Sequence, residues 1–390
     1  MNINNVSIVK QNNYDGVEVY NAVERLLAPL GGMSNFIQKG MKVFVKANLV
    51  REMPPEAAAT THPAVIEAVC RKIIEAGGIP TVGDSCGGVY TSGHMNSLYK
   101  TTGMSDACEK SGASLNQNFS SHTVFNEKGN VLKSVEITDS FLDADVVVNV
   151  CKLKTHGLTG YSGAVKNLFG LIPGLVKAEM HSKYNTIETF CNCLIDLERF
   201  ASDKIVLHII DGIIGMDGNG PTNGKPKEMD VLIASADPYL ADITALSLFC
   251  DPLECPVIRI ARERDVCVFD SEFLSEVKKL TAEYAVKDFK KIDAQLPPSY
   301  FANMPLFVKK LFRTSMSRKV TIMKKVCVGC GKCKMHCPAK AITIEDRKAR
   351  IDQSKCIRCY CCQELCPKDA VAFHKPILYG VIRWFSNGKH

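Results

Sequence analysis

Long apolar runs are missing from this sequence: no stretch reaches the roughly 18 residues that a membrane-spanning helix needs. The first residues contain no basic region followed by an apolar one, so no secretory signal peptide is expected. Only 1 tryptophan is present, and low-complexity segments do not occur. The chain is 46% apolar and 23% charged, which excludes collagens, disordered tails and small disulfide-rich scaffolds.

Cysteine, in contrast, is abundant. The chain has 18 cysteines, and without an export signal they indicate metal binding or redox chemistry rather than disulfides. The spacing C-x2-C-x2-C-x3-C-P occurs twice, 29 residues apart, which resembles the bacterial two-cluster ferredoxin domain. In that motif the fourth cysteine binds the other cluster. The sequence therefore predicts two [4Fe–4S] clusters, the first held by Cys327, Cys330, Cys333 and Cys366 and the second by Cys356, Cys359, Cys362 and Cys337.

Two alternatives concern these cysteines. A zinc ribbon also uses paired C-x2-C spacings, but zinc needs neither the third cysteine of each run nor the proline. Cys361 is surplus, and we expect a spectator thiol there, with an exchange of roles with Cys362 as the alternative. Because oxygen destroys exposed clusters, the expected setting is the reducing cytoplasm of an anaerobe.

Charge is distributed unevenly along the chain. Residues 308–390 carry 19 Lys and Arg against 5 Asp and Glu, whereas residues 1–307 carry 29 against 36. A positive surface attracts acidic partners, so an acidic ferredoxin or flavodoxin is the expected redox partner. The alternative is a solvated face that only maintains solubility. No motif supports nucleic-acid binding, and none is expected.

Strand and helix patterns alternate over the first 270 or so residues. Strands are predicted at 42–47, 79–82, 146–150, 204–210 and 231–234, with helices at 63–76 and from Asp237-Pro238 onward. This order predicts an α/β fold with a mostly parallel sheet flanked by helices, followed by a small α+β two-cluster ferredoxin-like domain. The predicted division is a large domain at 1–275, a connecting segment at 276–320, the cluster domain at 321–375 and an apolar tail at 376–390.

One piece of the connecting segment is amphipathic. Residues 307–313 place apolar side chains on one helical face beside lysines and an arginine. Such a helix could lie on a membrane surface, so peripheral membrane contact is one interpretation. Packing of the stripe on its own protein is the alternative.

Ligands of α/β sheets bind beyond the carboxyl ends of the strands, so we searched the segments that follow each predicted strand. Polar residues and glycines follow several of the predicted strands. In the stretch after residue 152, glycines lie between the lysines and Glu179 is the lone carboxylate, a composition that suits a small anion. His156 and His181 are the candidate proton donors. The candidate anion-binding residues are Lys46, Asn48, Asp84, Lys152, Lys154, Lys166, Asn167 and Asp211.

The same stretch carries a family resemblance. Lys152-Leu153-Lys154-Thr155-His156, followed by Gly163-Ala164-Val165-Lys166-Asn167-Leu168-Phe169-Gly170, resembles the family known as domain of unknown function 362. The resemblance covers about residues 5–270 and extends to Lys46, Asn48, Asp84 and Asp211. It implies an intracellular iron–sulfur protein of anaerobes and archaea, and it supplies no reaction. Cys86 lies where relatives are expected to have proline, and we expect a buried structural cysteine there.

Two functions fit these patterns. The first is a ferredoxin-coupled iron–sulfur oxidoreductase that passes electrons to or from an anionic small molecule in the large domain. The second is a non-catalytic electron carrier, or an assembly or docking protein for a partner redox enzyme. Both involve electron transfer, and the sequence leaves open whether the chain is an enzyme.

Overall fold

The computed structural model describes residues 1–292 and 319–374. The chain divides into two compact units, one formed by residues 1–177 and 186–294 and the other by residues 178–185 and 295–390. The amphipathic piece 307–313 and the tail 376–390 lie outside the described residues. Among residues 1–292 and 319–374, no helix has both the length and the apolar content to cross a membrane.

A large β-sheet organises the first unit. The described strands of this unit are β1 (Val6–Lys10), β2 (Lys42–Lys46), β3 (Ile79–Gly83), β4 (Ser114–Leu115), β5 (Ser121–Phe125), β6 (Ser134–Thr138), β7 (Val146–His156), β8 (Gly160–Ser162), β9 (Ile205–Asp217) and β10 (Lys225–Ser235). Eight of them form one sheet in the order β1-β10-β9-β7-β2-β3-β4, with β8 paired to β7. The five strands from β9 to β4 run parallel, whereas β10, β1 and β8 are antiparallel to their neighbours. The predicted mostly parallel sheet is therefore confirmed.

Helices accompany the strands along the chain. The α-helices up to residue 292 are α1 (Gly16–Leu27), α2 (Pro63–Glu75), α3 (Ser92–Thr101), α4 (Met104–Ser111), α5 (Asp139–Leu142), α6 (Ala164–Asn167), α7 (Val176–Lys183), α8 (Ile187–Ala201), α9 (Pro238–Ser247), α10 (Pro256–Glu263) and α11 (Ser271–Thr281). The predicted helix at 63–76 corresponds to α2. His62 caps it by accepting a hydrogen bond from the Ala64 N–H, and Pro63 occupies its first position.

Both faces of the central sheet are buried. Val148 and Val150 of β7 pack in a core with α1, α2, α3 and α4. Val147, which alternates with them, faces the opposite side of the sheet and is also buried. A strand that is covered on both faces needs a continuous apolar run, which explains the β-branched sequence at 146–150.

Two central strands are longer than the sequence predicts. Strands were expected to end at residues 150 and 210, but β7 continues to His156 and β9 to Asp217. The continuation is held by pairing, since Lys152 lies opposite Asp211 on β9 and Lys154 lies opposite Ser162 on β8. Lys152, Lys154, His156 and Asp211 were expected in loops after the strands, and that placement is wrong.

The second unit contains a structural duplication. Its described elements are β11 (Lys319–Ile322), α12 (Lys332–Met335), β12 (Ile342–Glu345), β13 (Lys348–Ile351), α13 (Cys361–Glu364) and β14 (Val371–His374). Each of the first three recurs 29 residues later, as the cysteine spacing does. The halves interleave, because β11 pairs with β14 and β12 pairs with β13.

Candidate functional site

Lysines and aspartates meet at the carboxyl ends of the parallel strands. Lys46, at the end of β2, forms an ion pair of 2.6 Å with Asp84, which follows β3. Both side chains are almost completely buried, and Asp84 also accepts a hydrogen bond of 2.6 Å from the Leu49 N–H. Burial lowers the pKa of Lys46, and the charge of Asp84 opposes that shift.

A second buried ion pair joins β7 and β9. The Nζ of Lys152 lies 2.9 Å from Oδ2 of Asp211, and the side chains are 1% and 0% exposed. Tyr14 completes the group: its hydroxyl donates to Asp211 at 2.8 Å and accepts from Lys152 at 2.7 Å. The ring of His62 stacks on Tyr14 at 3.5 Å between centroids. Burial, followed by the charge of Asp211, raises the pKa of Tyr14.

A chain of amides continues from Lys154 into the core. Lys154 donates to Oδ1 of Asn48 at 2.5 Å, and Asn48 donates to Oδ1 of Asn167 at 2.8 Å. Asn167 in turn donates to Oδ1 of Asn149 at 2.8 Å, and Asn149 lies 2.9 Å from Nδ1 of His208. Burial lowers the pKa of His208 to about 3, so this imidazole is neutral and its Nδ1 accepts the amide hydrogen bond.

Lys177 was not among the predicted site residues. Its ammonium group donates to the hydroxyl and the carbonyl of Ser85, each at 2.9 Å, and to the carbonyl of Ile172. Burial lowers the pKa of Lys177 to about 7. Ser85 follows Asp84 directly, so the Lys177 ammonium lies next to the Lys46–Asp84 pair. Nothing in the sequence pairs residues 85 and 177, although both belong to segments with the expected polar composition.

Glycine makes room for this cluster. A Cβ atom at Gly170 would lie 2.1 Å from Oδ1 of Asp84 and 2.5 Å from Nζ of Lys46. The carbonyl of Gly170 also accepts a hydrogen bond of 3.2 Å from the Ser85 N–H. The glycine-rich stretch therefore packs its backbone directly on the Lys46–Asp84 pair.

Three predicted site residues make contacts outside the two ion pairs. His156 is buried, and its Nδ1 accepts from the backbone N–H groups of Leu158 and Thr159 at 3.2 and 3.3 Å. Lys166, on α6, lies over the ring of Phe169 at 4.9 Å. His181 is buried on α7, in the segment 178–185 that groups with the second unit.

The carboxylates that pair with Lys46 and Lys152 lie outside the lysine–glycine stretch, and both were among the predicted site residues. Asp84 and Asp211 supply the carboxylates from distant parts of the chain. With Lys46, Lys152, Lys154 and Lys177 they form what we call the strand-end cluster, in which Lys46 is paired with Asp84 and Lys152 with Asp211. Cys86 is 1% exposed, and burial raises its pKa, in agreement with a structural thiol.

In the second unit, the cysteines of the two runs line two separate cavities. The first cavity is lined by Cys327, Cys330, Cys333 and Cys366. The second is lined by Cys356, Cys359, Cys362 and Cys337, with Cys361 beside them. Each cavity thus takes three thiols from one run and the fourth from the other. Among the described residues, no three Cys, His, Asp or Glu side chains are grouped so that they could hold a single metal ion.

Backbone N–H groups point at several of these sulfur atoms. Ala341 and Ala370 donate to Sγ of Cys337 and Cys366, each at 3.3 Å, and Ala349 donates to Sγ of Cys327 at 3.4 Å. N–H groups that donate to sulfur stabilise the thiolates of an iron–sulfur cluster, and apolar walls restrict the access of water to it. In the second cavity, a hydrogen bond with Cys361 lowers the pKa of Cys359. The donor set therefore fits the group that the spacing implies.

Comparison with known proteins finds two family models in the chain. One is a domain of unknown function, DUF362, at residues 43–247, and the other is a 4Fe-4S dicluster domain at residues 319–367. A thylakoid-associated protein of Synechocystis is 31% identical over 269 residues, which are 67% of this chain and 79% of the relative.

Two solved structures show a distant likeness. The lactate racemase apoprotein of Thermoanaerobacterium thermosaccharolyticum has 14% identity and a TM-score of 0.38, with 63% of this chain and 57% of that chain covered. A Thermotoga maritima protein from a structural genomics consortium has 11% identity and a TM-score of 0.35, with 70% and 60% covered. This chain therefore spans about three fifths of each of those chains.

Proposed function

The chain belongs to the DUF362 family and carries a 4Fe-4S dicluster domain, and from this premise we propose that it is a ferredoxin-coupled iron–sulfur oxidoreductase. Its two clusters would exchange electrons with an anionic small molecule held at the strand-end cluster. The observation that carries the redox part is the pair of cavities, each lined by four cysteines from both runs.

The second unit would supply the electron relay. Bound [4Fe–4S] clusters accept and release single electrons. The residues of this chain hold and tune them: Cys327, Cys330, Cys333 and Cys366 would bind the first cluster, and Cys356, Cys359, Cys362 and Cys337 the second. The N–H groups of Ala341, Ala349 and Ala370 would stabilise negative charge on the sulfurs, while the apolar walls restrict water.

The strand-end cluster supports an anionic substrate through its charge. Four lysines and two aspartates leave two positive charges in excess when all six are ionised. One of these charges belongs to Lys177, whose buried ammonium group is hydrogen-bonded to uncharged oxygens of Ser85, Cys86 and Ile172 and has a pKa of about 7. Buried charge is costly unless it is balanced, so a small anion with one or two negative charges would stabilise the cluster. Asn48, Asn167 and Lys166 would contribute further donors to that anion. His156 and His181 would supply a proton.

Binding measurements test the anion site. We expect a phosphorylated or carboxylated metabolite, screened by isothermal titration calorimetry, to bind the anaerobically purified protein. The substitution Lys166→Met should weaken that binding at least tenfold, and the combination with His156→Gln should abolish turnover. Lys128→Met is the matched control, because Lys128 pairs with Asp203 in solvent. Unchanged binding and turnover in the double variant would contradict the assignment.

A specific observation favours the carrier alternative. Lys46, Lys152, Lys154 and Lys177 all have hydrogen-bond acceptors within the protein. If these contacts persist in solution, the strand-end cluster is structural and the large domain is a docking platform. In that case none of the phosphorylated or carboxylated metabolites that are screened would reoxidise the reduced clusters.

A separate part of the proposal concerns where in the cell the protein works. We propose that the protein works in the cytoplasm of an anaerobe with peripheral membrane contact through residues 307–313. The thylakoid-associated relative supports membrane contact. Co-sedimentation with anionic lipid vesicles, compared between the full chain and a variant with Phe307 and Phe312 changed to serine, tests it.

A further inference from the structure

The two halves of the cluster domain differ in exposure. In the first half Val328 is 52% exposed and Met335 is 74% exposed, and Cys330 is also exposed. The corresponding positions 29 residues later are Ile357, Glu364 and Cys359, and all three are only partly exposed. Apolar side chains near the first cavity are therefore exposed to solvent. Large exposed apolar groups on a protein surface mark binding surfaces.

The two halves also differ in charge. Residues 324–335 contain four lysines and no carboxylate, whereas the equivalent residues 353–364 contain one lysine, one arginine and one glutamate. Lys332 and Lys368 line the first cavity, and Lys334, which follows the lining residue Cys333, is exposed. Lys368 comes from the second half of the sequence, but it lies two residues after Cys366 and so at the first cavity. Exposed Val328 and two lysines therefore share the lining of the first cavity.

We propose that this surface, the first-cavity face, is the docking site of a small acidic ferredoxin. The face is defined by Val328, Met335, Lys332, Lys334 and Lys368. Exposed apolar side chains together with exposed lysines match an acidic protein whose own cluster lies near its surface. The proposal rests on the proposed function, because it requires a cluster in the first cavity.

The step on this face is a single electron transfer. The reduced ferredoxin would lose one electron and be oxidised, and a cluster held by Cys327, Cys330, Cys333 and Cys366 would gain that electron. No covalent bond forms or breaks, and no proton moves. A docked protein can approach the first cavity at the exposed Cys330, whereas the cysteines of the second cavity are partly covered or, at Cys361, buried. Contact of this kind is brief, since redox complexes bury little area.

Stopped-flow kinetics test the proposal on the full chain with its clusters loaded. The probe is a plant-type [2Fe–2S] ferredoxin, reduced anaerobically and followed by its visible absorbance. The variant K332E/K368E should slow oxidation of the ferredoxin about tenfold at low ionic strength and flatten the dependence of the rate on salt. The matched control is K340E/K355E, which changes the charge equally beside the second cavity and should stay within about twofold of the unchanged protein.

Reduction by methyl viologen distinguishes a failure of the docking proposal from a failure of the proposed electron-transfer function. Reduced methyl viologen needs no protein docking, so it should reduce all three proteins at the same rate. Equal slowing of both variants with ferredoxin would overturn the first-cavity face. Reduction of the unchanged protein by viologen but not by ferredoxin would overturn the ferredoxin partner. Failure of viologen to reduce an iron-loaded protein would overturn the proposed function itself.

Discussion

Lysine has opposite surroundings in the two units of this protein. In the α/β unit, Lys46 and Lys152 are buried and each lies within 3 Å of an aspartate oxygen. In the cluster domain, Lys332 and Lys334 are exposed in a stretch of sequence that has no carboxylate. The first arrangement fixes charge inside the protein, and the second offers charge to a partner. A charge count over one segment of sequence detects the exposed lysines of the cluster domain. It does not detect the buried ion pairs, because their partners lie in distant segments.

Removal of one cluster ligand is expected to have the largest effect. Cys366→Ala should lose about four of about eight iron atoms, because three thiolates hold a [4Fe–4S] cluster poorly. The crossed arrangement of ligands makes a sharper prediction. Cys366→Ala and Cys330→Ala should both lose the first cluster and therefore give the same EPR spectrum. Cys337→Ala and Cys359→Ala should both lose the second cluster and share a different spectrum. Matching spectra for Cys366→Ala and Cys359→Ala would contradict the crossed arrangement.

Breaking a buried ion pair comes next. Lys152→Met leaves the charge of Asp211 buried, which should lower the free energy of unfolding by about 3–5 kcal/mol. The double variant Lys152→Met/Asp211→Leu should recover most of that loss, because no buried charge remains unpaired. Urea unfolding measures both. The control is Lys128→Ala, whose exposed pair with Asp203 should contribute less than about 1 kcal/mol. Equal effects at the two sites would remove the distinction between buried and exposed lysines.

Gly170→Ala tests the packing on the strand-end cluster. The added methyl group would overlap Asp84 and Lys46, so a loss of about 1–3 kcal/mol is expected from overpacking. Gly16→Ala is the control, because nothing lies within 4 Å of its Cβ position at the start of α1. Thermal unfolding midpoints compare the two. A midpoint for Gly170→Ala equal to that of Gly16→Ala would show that the segment does not pack there.

The last prediction concerns the dependence of the stability on pH. The pKa of His208 is about 3 in the folded protein because of burial, against 6.5 as its ordinary value. The folded state therefore binds fewer protons between these values, and its stability falls as pH decreases below 6.5. The slope is about 1.4 kcal/mol for each pH unit in this window. Urea midpoints at pH 7 and pH 5 should differ less for His208→Gln than for the unchanged protein, and equal differences would contradict the neutral imidazole.

What could be predicted from the sequence depends on how local the signal is. The cysteine runs and the duplication are local in sequence, so their spacing was sufficient to predict the cluster domain. Helix α2 carries its own cap and proline, and its start was predicted correctly. The ends of β7 and β9 were missed because pairing of Lys152 with Asp211 and of Lys154 with Ser162 extends them.

The strand-end cluster could be predicted only in part. Lysines and glycines in one stretch indicated a polar site, and several of the expected residues do meet at the strand ends. Its ion pairs join residues 46 with 84 and 152 with 211, and no local pattern records such pairings. Tyr14 and His208 were missed for the same reason, because they are ordinary residues in sequence and only the fold brings them to the site. Lys177 lies in the lysine–glycine stretch but was not among the candidate residues.

Electron transfer through two clusters is the central claim, and anaerobic purification followed by iron analysis and EPR-monitored redox titration tests it most directly. The account predicts about eight iron atoms per chain and two reduced [4Fe–4S] clusters whose spins interact. A chain that contains zinc, little iron and no EPR signal on reduction would contradict it.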